Sequence, residues 1–287
     1  MPIETLVSRE SFVRTYPKGE LVMQQYLRAL ELYPSMSYYR IGHKIGRHPT
    51  TVKQWLIDDN VPKCMQGLER AIELNLVPLT RFSPKFQVIN ELIAWIYLSG
   101  SLGRDFGIGV FMDQQQADVL SSHIKHQLGI NTFYDSSANR LTLNKGTKIV
   151  GRVLNALGLA KDSYKSRHDI NLPAYLKSCL NHKSKRSSRY MALETFVRVM
   201  LQARKTDKDC DASILYLPTH YDKDICDQVS SDVLKVLQKV MPKAGLTKDN
   251  INIYYSKKRR YYRPQINLRK ENLVRIRQHY SVLFSYT

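Results

Sequence analysis

Residues 92–100 read Leu-Ile-Ala-Trp-Ile-Tyr-Leu-Ser-Gly, and every side chain before Ser99 is apolar or aromatic. The stretch predicts a helix with almost no polar face, preceded by Glu91 and ended by the small residues at 99–101. A helix that is apolar nearly all round must be buried on all sides. Residues 106–112, Phe-Gly-Ile-Gly-Val-Phe-Met, predict a buried strand directly after it. This helix and strand are therefore expected at the centre of the larger part of the chain.

The nonamer resembles the motif of the LAGLIDADG homing endonucleases, because Leu92, Ala94, Ile96 and Gly100 fit it as apolar, small, apolar and glycine. In that family two such helices pack side by side, and the acid before the final glycine holds the catalytic divalent metal. Here that position is Ser99, a neutral side chain and a poor ligand for a hard cation. The resemblance therefore implies the fold of the family without its first catalytic acid.

The order of predicted elements recurs in the second half of the chain, as an internal duplication would require. The first set comprises helix 92–100, strand 106–112, helix 113–128, hairpin 130–143 and helix 146–157. The second set comprises helix 190–204, strand 212–217, helix 222–240, hairpin 251–268 and helix 270–279. The second nonamer would fall on residues 197–205, which place Arg204 at the acid position. Other acids lie past the predicted helix ends: Asp105, Asp207, Asp209 and Asp211.

Residues 37–56 have the pattern of a helix-turn-helix. Ser37 is a suitable cap for the first helix, and His48 or Thr50 for the second. Gly46 can take the positive φ of the turn. The positions expected to set the packing of the two helices share one register: Gly42, Gly46, Val52 and Trp55.

The second of these helices would lie in a DNA major groove. Its outward side chains would be His48, Thr50, Lys53 and Gln54, with Arg47 near the DNA backbone. A glutamine can bond adenine through two hydrogen bonds, and a lysine can reach guanine or phosphate. The alternative is a helical hairpin that serves only for packing.

Residues 255–263 carry five cations and three tyrosines in nine residues. Long basic side chains on a two-stranded ribbon can reach phosphates and base edges. The DNA contacts expected here are Lys257, Lys258, Arg259, Arg260, Tyr262 and Arg263. The first hairpin would add Asn139 and Arg140, and the join between the repeats would add Lys183, Lys185 and Arg186. The alternative is a solvated, charged turn without a partner.

The 287-residue chain has a formal net charge of +19 and a pI of about 9.7, which favours a polyanionic partner, most simply nucleic acid. The sequence has no signal peptide pattern and no apolar run of the roughly 18 residues that a membrane span needs, so a cytoplasmic location is expected. Four scattered cysteines are expected as free thiols: Cys64, Cys179, Cys210 and Cys226. His123 and His126 lack an evident third ligand, so we expect a solvated helix face and neither metal nor cofactor.

The sequence thus predicts an α+β protein with an all-α helix-turn-helix domain at 1–76, a linker at 77–86, and αββαββα-type repeats at 87–182 and 183–287. We interpret it as a monomeric, sequence-specific binder of double-stranded DNA. In bacterial WhiA-type regulators an inactive nuclease-derived domain is joined to a helix-turn-helix in the reverse order, which makes transcription regulation the first hypothesis. The alternatives are an active endonuclease, a chromosome- or plasmid-organising protein, an RNA-maturation factor, and a helix-turn-helix that dimerises.

Overall fold

A computed structural model describes residues 4–143, 148–161, 170–181, 187–203, 205–207, 212–258 and 260–284. The chain divides into two compact units, Met1–Thr80 and Arg81–Thr287. Helices and small antiparallel sheets make up both, which confirms a mixed α+β protein.

The first unit is largely helical. Its elements are β1 Thr5–Val7, α1 Arg9–Val13, α2 Gly19–Leu32, α3 Tyr38–Ile45, α4 Pro49–Leu56, α5 Lys63–Glu73 and β2 Leu79–Thr80. Strands β1 and β2 pair antiparallel, and Val7, Val77 and Leu79 are buried beside this pair. The first strand and the start of the segment expected as a linker, 77–86, therefore contribute to the core of this unit.

The core of the first unit forms where α2, α3 and α4 meet. Tyr26 and Ala29 from α2 pack against Ile41, Val52 and Trp55 from the other two helices. The rings of Tyr26 and Trp55 lie edge to face, with centroids 5.8 Å apart, an arrangement that aromatic pairs favour. These contacts fix how α3 and α4 are presented to solvent.

The second unit contains seven helices and eight strands within the described residues. The helices are α6 Phe86–Ser99, α7 Gln114–Leu128, α8 Lys148–Ala156, α9 Ala174–Leu180, α10 Ser188–Gln202, α11 Lys223–Val240 and α12 Lys270–Tyr280. The strands are β3 Gly100–Leu102, β4 Ile108–Phe111, β5 Thr132–Asp135, β6 Arg140–Leu143, β7 Lys205–Asp207, β8 Ala212–Tyr216, β9 Ile251–Ser256 and β10 Tyr261–Leu268. Short edge strands β3 and β7 directly follow α6 and α10 and were not expected.

Helix α6 is buried on all sides, as the sequence predicts. Its residues 88–97 are all buried, including Asn90 and Glu91. The helix begins six residues earlier than the apolar stretch suggests, so Glu91 lies inside it and not ahead of it. Helix α10 packs against α6, with the rings of Tyr97 and Phe196 5.7 Å apart. The two opening helices of the repeats thus pack together.

The two sheets of this unit have the same strand order, which confirms the repeated order of elements predicted from the sequence. One sheet runs β3-β4-β6-β5 and the other β7-β8-β10-β9, and every pairing is antiparallel. In each sheet the second strand along the chain lies beside the fourth. Each repeat therefore builds its sheet in the same way.

Each sheet has a buried side and an open side, because successive side chains of a strand alternate between its faces. In the first sheet Val110 pairs with Leu141, and both are fully buried. In the second sheet Leu215 pairs with Ile266 in the same manner. The residues between these positions lie on the open faces of the sheets.

A buried polar joint connects α6, α9 and α10. The Asn90 side chain accepts a hydrogen bond from the Tyr175 hydroxyl at 2.5 Å and donates one to the Ala192 carbonyl at 3.0 Å. Burial raises the pKa of Tyr175 well above its ordinary value, so the hydroxyl keeps its proton and donates. The joint therefore satisfies polar groups from three helices inside an apolar core.

Two further expectations concern cysteines and membranes. Cys64, Cys179 and Cys226 are buried free thiols, as expected, whereas Cys210 lies outside the described residues. None of the described helices combines the length and the apolar character needed to cross a membrane.

Candidate nucleic-acid interface

The turn between α3 and α4 has the local structure that the sequence predicts. The Ser37 hydroxyl caps α3 by accepting from the Arg40 amide, and the His48 ring caps α4 by accepting from the Thr50 amide. Gly46 ends α3 with φ +68°, a conformation that costs glycine little. A Cβ on Gly42 would lie 2.8 Å from the backbone oxygen of Arg47, so the close approach requires a glycine.

The exposed surface of α4 carries four of the predicted DNA contacts, namely His48, Thr50, Lys53 and Gln54. Arg47 differs from them because it takes part in holding the turn. Its Nε donates to Gln25 at 2.6 Å, and Gln25 in turn donates to the Ile45 carbonyl at 2.8 Å. The Arg47 guanidinium also lies 5.9 Å from the Trp55 ring. These contacts join the turn to α2, a link that no local pattern indicates.

Arg140 lies on the open face of the first sheet. Its guanidinium carbon is 5.7 Å from the ring centroid of Phe111, the residue that it pairs with across β4 and β6. Within the part of the chain that the structure describes, its buried Nε has no hydrogen-bond partner. Gly109 leaves room for it, since a Cβ there would collide with the guanidinium.

Asn139 has a structural role in the turn of the first hairpin. It adopts a φ of +47°, and its side chain accepts from the Tyr134 hydroxyl at 3.1 Å. Asp135 accepts from Ser137 in the same turn, and this hydrogen bond holds the pKa of Asp135 below its ordinary value. Asp135 therefore stays negative beside Arg140, its partner across the strands.

The second hairpin presents its cations at the turn. Lys257, Lys258 and Arg260 are exposed there, and the turn closes through a 2.7 Å hydrogen bond from the Arg260 amide to the Ser256 carbonyl. Arg263 is also exposed, on the open face of the sheet, with its guanidinium carbon 5.7 Å from the Tyr216 ring. In each sheet, an arginine from the fourth strand along the chain thus lies over an aromatic ring from the second strand along the chain.

Tyr262 lies on the other face from Arg263. It shares the face of Ile266, which is fully buried against the helices, and its ring is 5.0 Å from that of Tyr255. Tyr262 and Arg263, both predicted as DNA contacts, therefore lie on opposite faces of the second sheet. Five other predicted positions lie outside the described residues: Lys183, Lys185, Arg186, Arg204 and Arg259.

Ser99 borders a cavity at the ends of α6 and α10. The cavity measures about 290 Å³ and is lined by Leu98, Ser99, Met200, Ala203, Leu215, Tyr216, Leu217, Thr219 and Arg263. The Ser99 hydroxyl donates to the Trp95 carbonyl of its own helix at 3.3 Å. Asp105 is held by the Gly107 amide in its own loop. The residues described here contain no group of three His, Cys, Asp or Glu side chains that could hold a metal.

The His123 side chain is 37% exposed on its helix face, as expected, but it also has a buried partner. Its Nδ1 lies 3.1 Å from a carboxylate oxygen of Glu91, which is 4 % exposed within α6. The pKa of His123 is raised mainly by this hydrogen bond, and Arg198 opposes the rise. The partner is 32 residues away, so helix periodicity alone does not reveal it. His126, one turn further along, is exposed as expected.

The His123–Glu91 pair makes the stability of the second unit dependent on pH. Because the pKa of His123 is raised above 6.5 on folding, the pair stabilises fully below that value and loses this effect as the pH rises through the raised pKa. We expect His123→Gln, which can still donate to Glu91 but does not titrate, to flatten the fall in the free energy of unfolding above about pH 6.5. Urea unfolding across this range measures it. The matched variant His126→Gln should retain the wild-type slope, and an unchanged slope in His123→Gln would contradict the prediction.

Comparisons with known proteins add a structural neighbour for the chain. No family model matches the chain, and no curated protein matches it. Among solved structures, the chain is similar to a crystal structure described as the N-terminal LAGLIDADG domain of DUF199/WhiA, with a TM-score of 0.37 and 12% identity. The match covers 75% of this chain and 91% of that chain.

Proposed function

We propose that the protein binds double-stranded DNA sequence-specifically and acts as a transcription regulator built on a LAGLIDADG-type fold that no longer cleaves DNA. The observation that carries this proposal is the pair of sheets with the same strand order, each with an arginine over an aromatic ring on its open face. Arginines positioned on a sheet can contact phosphates and guanine edges. The net charge of +19 supplies a long-range attraction to the negatively charged DNA backbone.

The first unit would supply the second contact surface. In this proposal α3, the turn and α4 form a helix-turn-helix, and α4 enters the major groove. Four exposed polar side chains on α4 support this assignment, because they are free to meet base edges. The Nδ1 of His48 accepts the capping hydrogen bond, which leaves Nε2 of the neutral ring as a donor that points away from the cap.

The proposed loss of cleavage rests on ligand chemistry. Metal-assisted hydrolysis needs carboxylates that hold the cation. Ser99 offers a neutral hydroxyl that already donates within its helix, and Arg204 at the second position carries a positive charge. An active endonuclease remains the competing proposal, in which Asp207, Asp209 or Asp211 would supply the missing carboxylate.

Selection of bound duplexes from a random DNA pool, with and without Mg²⁺, tests the proposal. We expect an enriched motif that is recovered uncut under both conditions. Metal-dependent cuts would contradict the regulator proposal and favour an active endonuclease. Binding without an enriched motif would favour a chromosome- or plasmid-organising protein, and absence of duplex binding would contradict the whole proposal.

Gln54→Ala is expected to relax base preference at one position of the motif while most of the affinity is retained. A bidentate contact to a base contributes about 1–3 kcal/mol of discrimination, and alanine cannot make it. Competition binding with single-base variants of the selected site measures the change. Gln24→Ala removes an exposed glutamine from α2 and serves as the matched control. If Gln54→Ala discriminated between bases as well as the wild type does, α4 would no longer be assigned to the interface.

A further inference from the structure

Two phenylalanine rings are exposed on the open face of the first sheet. Phe111 on β4 is 43% exposed, and Phe133 on β5 is 62% exposed. Strand β6 runs between them and pairs Arg140 with Phe111 and Thr142 with Phe133. Because Arg140 and Thr142 are two residues apart on one strand, both rings and the guanidinium lie on the same face. The surface therefore has two aromatic rings, one on either side of the strand that carries Arg140, with Asp135 opposite that arginine.

This arrangement is not reproduced in the second sheet. There, Val110 and Leu141 correspond to Leu215 and Ile266, so Phe111 corresponds to Tyr216. A tyrosine hydroxyl can hydrogen-bond to a phosphate or a groove edge, whereas a phenylalanine ring can only stack or be buried. Two exposed phenylalanines on one sheet indicate a partner that offers an apolar, flat surface.

The charge around the rings identifies the kind of partner. Arg140 lies over Phe111, and the chain has a net charge of +19. Asp135 lies opposite Arg140 on the same face, so the repulsion of a second copy comes from the net charge of the chain and not from this surface alone. A nucleic-acid base offers the flat apolar face, and its phosphate offers the negative charge. Base-on-aromatic stacking beside arginine is a general mode of nucleic-acid binding.

We propose that Phe111 and Phe133 form a stacking surface for an unpaired or unstacked base within a DNA duplex. This inference rests on the proposed function and names a feature of its target. Bases in an intact duplex cover one another's faces, so the rings gain contact only where a base is bulged or where they open a base step as wedges. The first repeat would thus recognise local disruption of the duplex, while the cationic hairpin of the second repeat contacts the backbone.

The test compares an intact duplex with the same duplex carrying a single bulged 2-aminopurine. We expect the wild-type full-length protein to bind the bulged duplex at least about 10-fold more tightly and to change the fluorescence of the 2-aminopurine. Phe111→Ala with Phe133→Ala is expected to lose the preference and to bind the two duplexes with equal affinity. Tyr254→Ala with Tyr255→Ala, which removes two exposed tyrosines of the second sheet, should keep the preference.

The possible outcomes separate this inference from the proposed function. Equal wild-type affinity for both duplexes, or an undiminished preference in the double phenylalanine variant, would overturn the stacking surface and leave duplex binding intact. No binding to either duplex would overturn the proposed function itself. A dimeric wild type that becomes monomeric on removal of the two rings would assign this face to a second copy. Phe111→Tyr, which keeps a ring of similar size, should retain the preference and guards against a folding defect.

Discussion

Replacement of Lys257, Lys258 and Arg260 by alanine is expected to weaken binding to every duplex about 10²-fold near 0.1 M salt. The three side chains are exposed at the turn of the second hairpin. Each phosphate that a cation neutralises contributes roughly 0.9 to the slope of log affinity against log salt. The slope should therefore become shallower by about 2–3. Fluorescence anisotropy at several salt concentrations measures both quantities.

A matched variant removes the same charge elsewhere. Lys239, Lys243 and Lys248 lie in α11 and in the segment before β9, at the end of that strand away from the turn. The six residues of β9 separate the two ends by about 20 Å. Replacing these lysines by alanine should change affinity and slope much less. If both triple variants behaved alike, net charge and not the hairpin would account for binding.

Asn90→Leu is expected to lower the free energy of unfolding of the second unit by about 3 kcal/mol. The leucine fills a similar volume but leaves the buried Tyr175 hydroxyl without its acceptor, and it removes the second hydrogen bond to the Ala192 carbonyl, which stays bonded within α10. Each buried group left unsatisfied costs about 1–3 kcal/mol. The chain has two tryptophans, Trp55 in the first unit and Trp95 in the second. Urea unfolding followed by Trp95 fluorescence in a Trp55→Phe background therefore reports on the second unit alone.

A second substitution separates lost hydrogen bonds from lost packing. Tyr175→Phe added to Asn90→Leu removes the orphaned hydroxyl and is expected to restore about 1 kcal/mol or more. Tyr175→Phe alone should destabilise, since it leaves the Asn90 oxygen unpaired. Additive effects of the two substitutions would contradict a direct Asn90–Tyr175 interaction.

The regular elements of this fold follow from local sequence patterns. The apolar run in α6 leaves the helix without a polar face, so its burial on all sides follows from the sequence. Caps and glycines likewise mark the ends of α3 and α7, where Gly46 and Gly129 adopt positive φ. Patterns of this kind depend on neighbours within a few residues, so the sequence contains them in full.

The features that the sequence leaves open depend on residues far apart in the chain. Strands β3 and β7 have three residues each, too few for a period, and β1 finds its partner β2 more than 70 residues away. The burial of the charged residue Glu91 is explained by its contact with His123, which lies 32 residues further along the chain. For the candidate interface, the sequence identified the basic residues, while strand register decided that Arg263 and Tyr262 face opposite ways. The sequence predicted Phe111 within a buried strand and assigned Phe133 to no surface, whereas both rings are exposed on the first sheet.

Under the proposed function, the duplicated sheet order would give a bound duplex a direction. Two identical subunits related by symmetry can match only a palindromic site. Here both sheets belong to one chain, and they have diverged: one carries exposed phenylalanines, and the other carries lysines, arginines and tyrosines. An asymmetric target can therefore be read in one orientation only. Inverting such a site in front of a gene would reverse which end of the protein faces the promoter. The orientation of the site would therefore affect how a regulator of this kind acts on that gene.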